Sequence, residues 1–314
     1  MYKIIVVLVG FMSFFSSVQG QLLWKISGNG LKKSSYLFGT HHFIPLQFLD
    51  SIPGLYQAFN TSEIVVGEMV VNNLDAVEKV KKAAIIPNQQ TIYDLVDKNQ
   101  ILQIDSALKS VLHIGLKEMA LLQPNLILTI YQTEVYKKAS GQIENIAPDS
   151  YFQQLGIAKG KKIVGLETID QQLEILFDKT SLQRQTEIFT YSVLHTDNMI
   201  LETNKLNNFY KKGDLEKLLL LSIQKNDPSD ATDEEYYKLV DERNLEWMKQ
   251  LPDLIKTSSC FITVGALHLP GENGLIEQFR KLGYHVTEVK KLGNNYIYYL
   301  KLLHNQLSKG KSSR

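Results

Sequence analysis

The sequence predicts an α/β fold, a central mixed β-sheet carrying a large helical insertion. Three observations predict it. Short apolar, β-branched runs that stop at Gly occur near both ends of the chain and in its middle, as buried strands do. The long stretches between them repeat apolar residues at three- and four-residue spacing, as amphipathic helices do. Two of the strand-like runs also share one plan. Tyr36-Leu37-Phe38-Gly39-Thr40-His41-His42 is echoed by Cys260-Phe261-Ile262-Thr263-Val264-Gly265-Ala266-Leu267-His268, an apolar run, a Gly, two residues and a His.

In chain order, Lys3 precedes an apolar run from Ile4 to Phe15, and Ser16-Ser17-Val18-Gln19-Gly20 supplies small residues for cleavage. This is the layout of a secretory leader over residues 1–20. The mature protein is expected to be exported, periplasmic or secreted, with no membrane anchor left after cleavage. Residues 21–300 are expected to form one domain and residues 301–314 a basic flexible tail. Leu22 to Ser27 reads as a strand that turns at Gly28-Asn29-Gly30 into a second strand from Ser35 to Phe38. Leu46 to Asn60 reads as a helix, and Glu63 to Glu68 as a short strand closing on an acid. Leu74 to about Ser140 is helical in character, with Pro124 interrupting. Residues 151–159 read as a short helix, Lys162 to Glu167 as a strand, and Thr168 to Phe177 as a helix. Residues 181–256 are helical again, and Asp230 to Met248 reads as one amphipathic helix. Cys260 to Val264 is the strand of the second His. Gly274 to Leu282 is a helix, and Tyr284 to Val289 and Tyr296 to Leu300 are closing strands.

Composition narrows the function classes. The chain has 34 basic and 33 acidic residues, and loss of Lys3 with the leader leaves them balanced. Such a surface has no general attraction for nucleic acid or an acidic membrane. The single Cys, Cys260, excludes an internal disulfide framework and is expected to be a small buried hydrophobe. Oligomeric state is left open.

The paired motifs are where chemistry is expected. Gly permits a sharp turn and a close backbone approach, so the His just beyond it sits at the sheet rim. Two such strands side by side would bring His42 and His268 to one edge as a metal pair. His41 and His42 are adjacent and would point in opposite directions on an extended rim, which makes His41 a neighbour. Glu68 and Glu167 each close a strand on an acid. One is suited to ligate an ion and the other to take a proton from its water. Each could instead pair with a surface Lys or cap the next helix. Arg243 could anchor a substrate carboxylate or stabilise an oxyanion with Asn244 as a neighbouring donor. A helix ion pair with Asp241 or Glu246 is the simpler expectation for Arg243. His113, His195, His285 and His304 read as surface or satisfied histidines.

Together, Gly39-Thr40-His41-His42, Glu68, Gly165-Leu166-Glu167, Arg243-Asn244 and Gly265-Ala266-Leu267-His268-Leu269-Pro270-Gly271 resemble the TraB/GumN family, whose superfamily includes the exported TIKI metalloproteases. The resemblance runs from about residue 22 to 290. It implies a metal-dependent hydrolase with a peptide or protein substrate and metal ligands at His42, His268 and Glu68. Glu167 and Arg243 would line the site as catalytic groups, and Asn244 and His41 would face the substrate. Manganese or cobalt is the ion the resemblance implies, and zinc also suits such ligands. Two other readings compete, a peptide-binding protein that sequesters without cutting and an accessory protein of polysaccharide export.

Overall fold

A computed structural model describes residues 21–70, 74–140 and 146–290. The expected leader, the basic tail and the strand from Tyr296 to Leu300 lie outside the described residues. The chain opens with a hairpin, β1 (Leu23–Ser27) and β2 (Ser35–Thr40), paired antiparallel with Leu23 opposite Phe38. Its turn takes three consecutive left-handed residues, Gly28 at φ 80°, Asn29 at 44° and Gly30 at 77°. Two glycines and an asparagine are the residues that adopt this conformation at low cost.

Four further strands complete the sheet: β3 (Ile64–Gly67), β4 (Lys162–Gly165), β5 (Cys260–Gly265) and β6 (His285–Glu288). The order is β4-β3-β5-β2-β1-β6, with β4, β3, β5 and β2 parallel and β1 antiparallel to both its neighbours. The mixed sheet that the sequence predicts is therefore present. Parallel neighbours need long crossovers, and the helical stretches supply them. Within the parallel set Gly67 lies level with Gly165, and Thr40 with Gly265. The C-terminal ends of these strands thus form one rim.

Between β2 and β3 the chain makes a 3₁₀ turn, Leu46–Ser51, and then α1 (Leu55–Thr61). The single helix expected from Leu46 to Asn60 is split at Pro53-Gly54, where Gly54 adopts φ 73°. Between β3 and β4 come α2 (Leu74–Ala83), α3 (Ile92–Leu95), α4 (Ile101–Leu112), α5 (Pro124–Ser140) and α6 (Pro148–Ala158). Between β4 and β5 come α7 (Ile169–Leu173), α8 (Leu182–Leu194), α9 (Thr196–Lys211), α10 (Leu215–Ser222), α11 (Asp233–Tyr236), α12 (Glu242–Trp247) and α13 (Leu251–Thr257). The amphipathic helix expected from Asp230 to Met248 is α11 and α12 joined through a π turn at Tyr237–Asp241. Another π turn, Glu174–Asp178, extends α7. A short 3₁₀ turn, Ala266–His268, follows β5 and leads to α14 (Leu275–Lys281).

Besides a small cluster at Ala84, Leu173 and Phe177, two large apolar cores hold this arrangement. One lies on the sheet, where Phe38, Phe59, Phe152 and Phe261 interlock with ring centroids 4.9–6.2 Å apart. The other lies among α4, α5 and α8 around Ile104, Ile127, Tyr131 and Phe189. Burying each such side chain contributes about 1.5–3 kcal/mol, so each core can order its own layer of helices. Cys260 is fully buried in the sheet core, as expected. Among the described residues, no helix is long and apolar enough to cross a membrane.

Candidate functional site

Residues from four elements meet just beyond the common rim. Glu68 follows β3, Glu167 follows β4, His268 ends the turn after β5, and Arg243 and Asn244 lie on α12. The short strands explain the placement. Each ends at a Gly, so the next acid or imidazole leaves the sheet within one to three residues.

Arg243 is the hub. Its Nε and Nη2 donate to Glu167 at 2.7 and 2.9 Å, and Nη2 also donates to Glu68 at 2.6 Å. Nη1 donates to the Leu239 carbonyl of the π turn and lies 3.2 Å from His268 Nε2. The guanidinium also sits 4.9 Å from the centre of the Trp247 ring. The helix ion pair expected with Asp241 or Glu246 does not form. Glu246 pairs with Lys249 and Asp241 accepts from Asn273, because the inward face of α12 points Arg243 at the carboxylates of Glu68 and Glu167.

Glu167 has both oxygens occupied. Beyond the two Arg243 contacts it accepts from Trp247 Nε1 at 2.8 Å and Gln172 Nε2 at 2.9 Å, and only 6% of its side chain is exposed. The helix-capping role belongs to Thr168 instead, which caps α7. Glu68 is more open, and its Oε1 accepts from the Gly265 amide at 2.7 Å. Burial pushes its pKa up, but the charges of His268 and Arg243 and the Gly265 hydrogen bond outweigh this and hold it at about 2. Arg243 supplies that charge at neutral pH, because burial lowers the pKa of His268 to about 4 and keeps it neutral.

Asn244 orients that imidazole. Its Oδ1 lies 2.8 Å from His268 Nδ1, and its Nδ2 donates to the carbonyls of His268 and Asn273. Since a carboxamide oxygen only accepts, Nδ1 carries the proton, and the Nε2 lone pair accepts from Arg243 Nη1. Such a locked tautomer is what metal-ligating histidines have. His268 Nε2 stands 3.9 Å from Glu68 Oε1. A neutral imidazole nitrogen and an ionised carboxylate oxygen are the donor types a divalent ion takes, and here both residues accept from Arg243.

The third expected ligand is elsewhere. The side chain of His42 is 71% exposed, with Nδ1 3.9 Å from Asp149 at the start of α6. Among the described residues no group of three His, Cys, Asp or Glu side chains is gathered as a metal site. The reason lies in the loop after β2, which leaves the sheet plane and turns one His inward and one outward. His41 is the inward one. Its Nε2 donates to Asn207 Oδ1 at 2.7 Å, and its ring lies 5.3 Å from Tyr210, both on α9. Tyr210 in turn donates to the Gly39 carbonyl at 2.9 Å. Burial lowers the His41 pKa to about 4, against the Asn207 hydrogen bond that raises it. His41 and Asn244 therefore stand apart, one against α9 and the other behind His268.

The sequence reading missed Trp247, Gln172, Asn207 and Tyr210. A signal for Trp247 was present, since it stands four residues after Arg243 and three after Asn244, the spacings that make helix side chains neighbours. For Asn207 and Tyr210, one turn apart in a polar helix, no signal set them apart.

Parallel strands ending in Gly, with a buried Arg–Glu–Glu–His–Asn cluster on their C-terminal rim, define an α/β protein whose candidate site is carried by strand ends, where open sheets place ligands. The TraB/PrgY/gumN family matches residues 22–288, and the chain belongs to that family. No curated protein and no solved structure matches it significantly.

Proposed function

We propose that this chain is an exported, metal-dependent hydrolase that cleaves peptide bonds. One observation carries the reading: an ionised Glu68 and a neutral, tautomer-locked His268 face each other across 3.9 Å on the sheet rim. These two residues would hold a divalent ion, manganese, cobalt or zinc, with His42 as a third ligand drawn from its exposed position. The ion would supply a water of lowered pKa and polarise the substrate carbonyl. The chain's own groups do the rest. Arg243 donates toward charge that develops on the carbonyl oxygen. Glu167 and Trp247 hold Arg243 in place. A Glu68 oxygen left off the ion would accept the water proton and pass it to the leaving amine as the C–N bond breaks and a C–O bond forms. The partner is a peptide or protein substrate. Neither nucleic acid nor a stable membrane anchor enters this reading.

The second reading is a protein that captures a peptide without cutting it. It is favoured by Arg243, which occupies oxygens of both carboxylates at once. A single experiment separates the two. Mature protein is stripped, supplied with manganese, cobalt or zinc, and assayed for bound metal and peptide cleavage beside the His42→Ala/His268→Ala variant. Stoichiometric metal and cleavage in the wild type, both lost in the variant, support the hydrolase. Intact peptide bound without metal supports capture. Undiminished cleavage in the variant sinks the ligand assignment.

A further inference from the structure

A cavity of about 600 Å³ opens among α5, α8, α9, α10 and the loop that leads to α11, with His41 in its wall. That is within the roughly 300–1,000 Å³ of ligand sites. Its lining is unusual in one respect. Six carboxamides face it: Gln132, Asn198, Asn204, Asn207, Asn208 and Gln224. Asn207 is committed to His41 and Tyr136, and Gln224 donates to Glu202. Among the described residues the other four make no side-chain hydrogen bond to protein; Asn198, Asn204 and Asn208 are exposed to solvent and Gln132 is half-buried, so all four can turn to a ligand. A carboxamide both donates and accepts, which is the pairing a peptide bond offers and requires. Apolar side chains such as Phe43, Ile188 and Met199 line it too, so it can take both the backbone and the side chains of a peptide.

Charge restricts the occupant further. Glu202, Asp227 and Asp230 line the cavity against one cation, Lys211. Glu202 is shared with Lys205, whereas the carboxylates of Asp227 and Asp230 bond to backbone N–H groups and to Ser229, with no side-chain ion pair among the described residues; Arg184 and Lys225 reach this loop only at its backbone carbonyls. Anionic ligands, phosphates and acidic glycans included, are disfavoured there.

We propose that this cavity is a peptide-binding site, engaging the backbone of an uncharged or basic segment through Gln132, Asn198, Asn204 and Asn208. The site also touches the motif strand. His41 lies between Thr40 and His42, and Asn207, Tyr136 and Tyr210 tie the loop after β2 to α5 and α9. A peptide seated in the cavity therefore rests against the residue next to His42. That the bound peptide is a substrate rests on the hydrolase reading; that the cavity binds peptide does not.

The test uses the mature chain carrying Glu68→Gln and His268→Ala, so that nothing is cleaved. Binding of three pools of randomised acetylated, amidated tetrapeptides, one enriched in Lys and Arg, one uncharged and one enriched in Asp and Glu, is followed by NMR shifts of ¹⁵N-labelled protein. Neutral and basic pools are expected to shift α8, α9 and α10 amides, with the basic pool binding several-fold more tightly and the acidic pool at least 10-fold more weakly than the neutral one. Asn204→Leu/Asn208→Leu should weaken neutral-pool binding at least 10-fold with thermal stability unchanged. Asp227→Asn/Asp230→Asn should abolish the basic preference alone. No shifts in these helices, an acidic preference, or tighter binding of an uncharged oligosaccharide would overturn the proposal. Cleavage by the wild type without cavity binding would remove this inference and leave the hydrolase. Cavity binding without cleavage would do the reverse.

Discussion

Arg243 grips Glu167 through two nitrogens, Nε at 2.7 Å and Nη2 at 2.9 Å, with only 13% of the arginine side chain and 6% of the glutamate exposed. The same guanidinium reaches Glu68, so one cation compensates a buried and a partly buried carboxylate from neighbouring strand ends. Removing one partner of a buried pair costs more than the pair contributes, because the remaining charge stays desolvated.

Arg243→Ala should therefore destabilise the fold by about 3–5 kcal/mol, read as a fall in the urea midpoint. Arg243→Lys should recover only part of this, since an ammonium cannot bridge both carboxylates with a fork of donors. Equal stability of Arg243→Ala and wild type would mean that the cluster is more solvated than its burial indicates.

Asn244→Ala should release His268 from its tautomer and orientation. On the hydrolase reading, losses of about 10–100-fold in metal affinity follow for partners of this kind, measured by titration against a chromophoric chelator. The fold should weaken too, because Asn244 is fully buried and its Nδ2 bonds two carbonyls.

Acid should unfold the protein in a window set by two imidazoles. Burial lowers His41 and His268 from 6.5 to about 4. Between those values the unfolded chain binds more protons than the folded one, so stability is fully present above about pH 6.5 and falls as pH drops toward 4. Glu68, held at about 2, has a contribution present above its ordinary range and lost only as pH falls toward 2. Thermal midpoints at pH 7.0, 5.5 and 4.5 should decline monotonically, and His41→Gln should flatten the slope. A midpoint rising on acidification would contradict the burial of these rings.

Gly39→Ala should be costly although Gly39 needs no unusual φ. An added Cβ would stand 3.0 Å from Ala266 Cα and Leu269 Cδ2 and 3.2 Å from Ala266 Cβ. Overpacking of this kind costs about 1–3 kcal/mol. The turn that carries His268 would shift, so calorimetric stability should drop and, on the hydrolase reading, metal affinity with it.

Cys260, fully buried, has its thiol pKa pushed up to about 12 by burial, against the Ser35 hydrogen bond. An aromatic disulfide reagent should leave it unmodified in the folded protein and react stoichiometrically in denaturant. Prompt reaction in buffer would place the strand outside the core.

Much of this arrangement was legible in the sequence because it is local. Apolar β-branched runs ending at Gly39, Gly67, Gly165 and Gly265 marked four strands, and the residues just past them marked one rim. Helical periodicity marked the insertion, although Pro53-Gly54 and the π turn at Tyr237–Asp241 divided helices that looked continuous. The partners of the motif residues were decided by tertiary structure. Nothing near residue 243 announces that its guanidinium crosses to strand ends 76 and 175 positions away. The rotation of the loop after β2 is set by packing of His41 on Asn207 and Tyr210, 166 positions downstream for the hydrogen bond, which sends His42 outward. Periodicity and turn chemistry act over a few residues and can be read along the chain. Which way an adjacent pair of side chains faces depends on which distant helix covers them, and only the assembled fold supplies that.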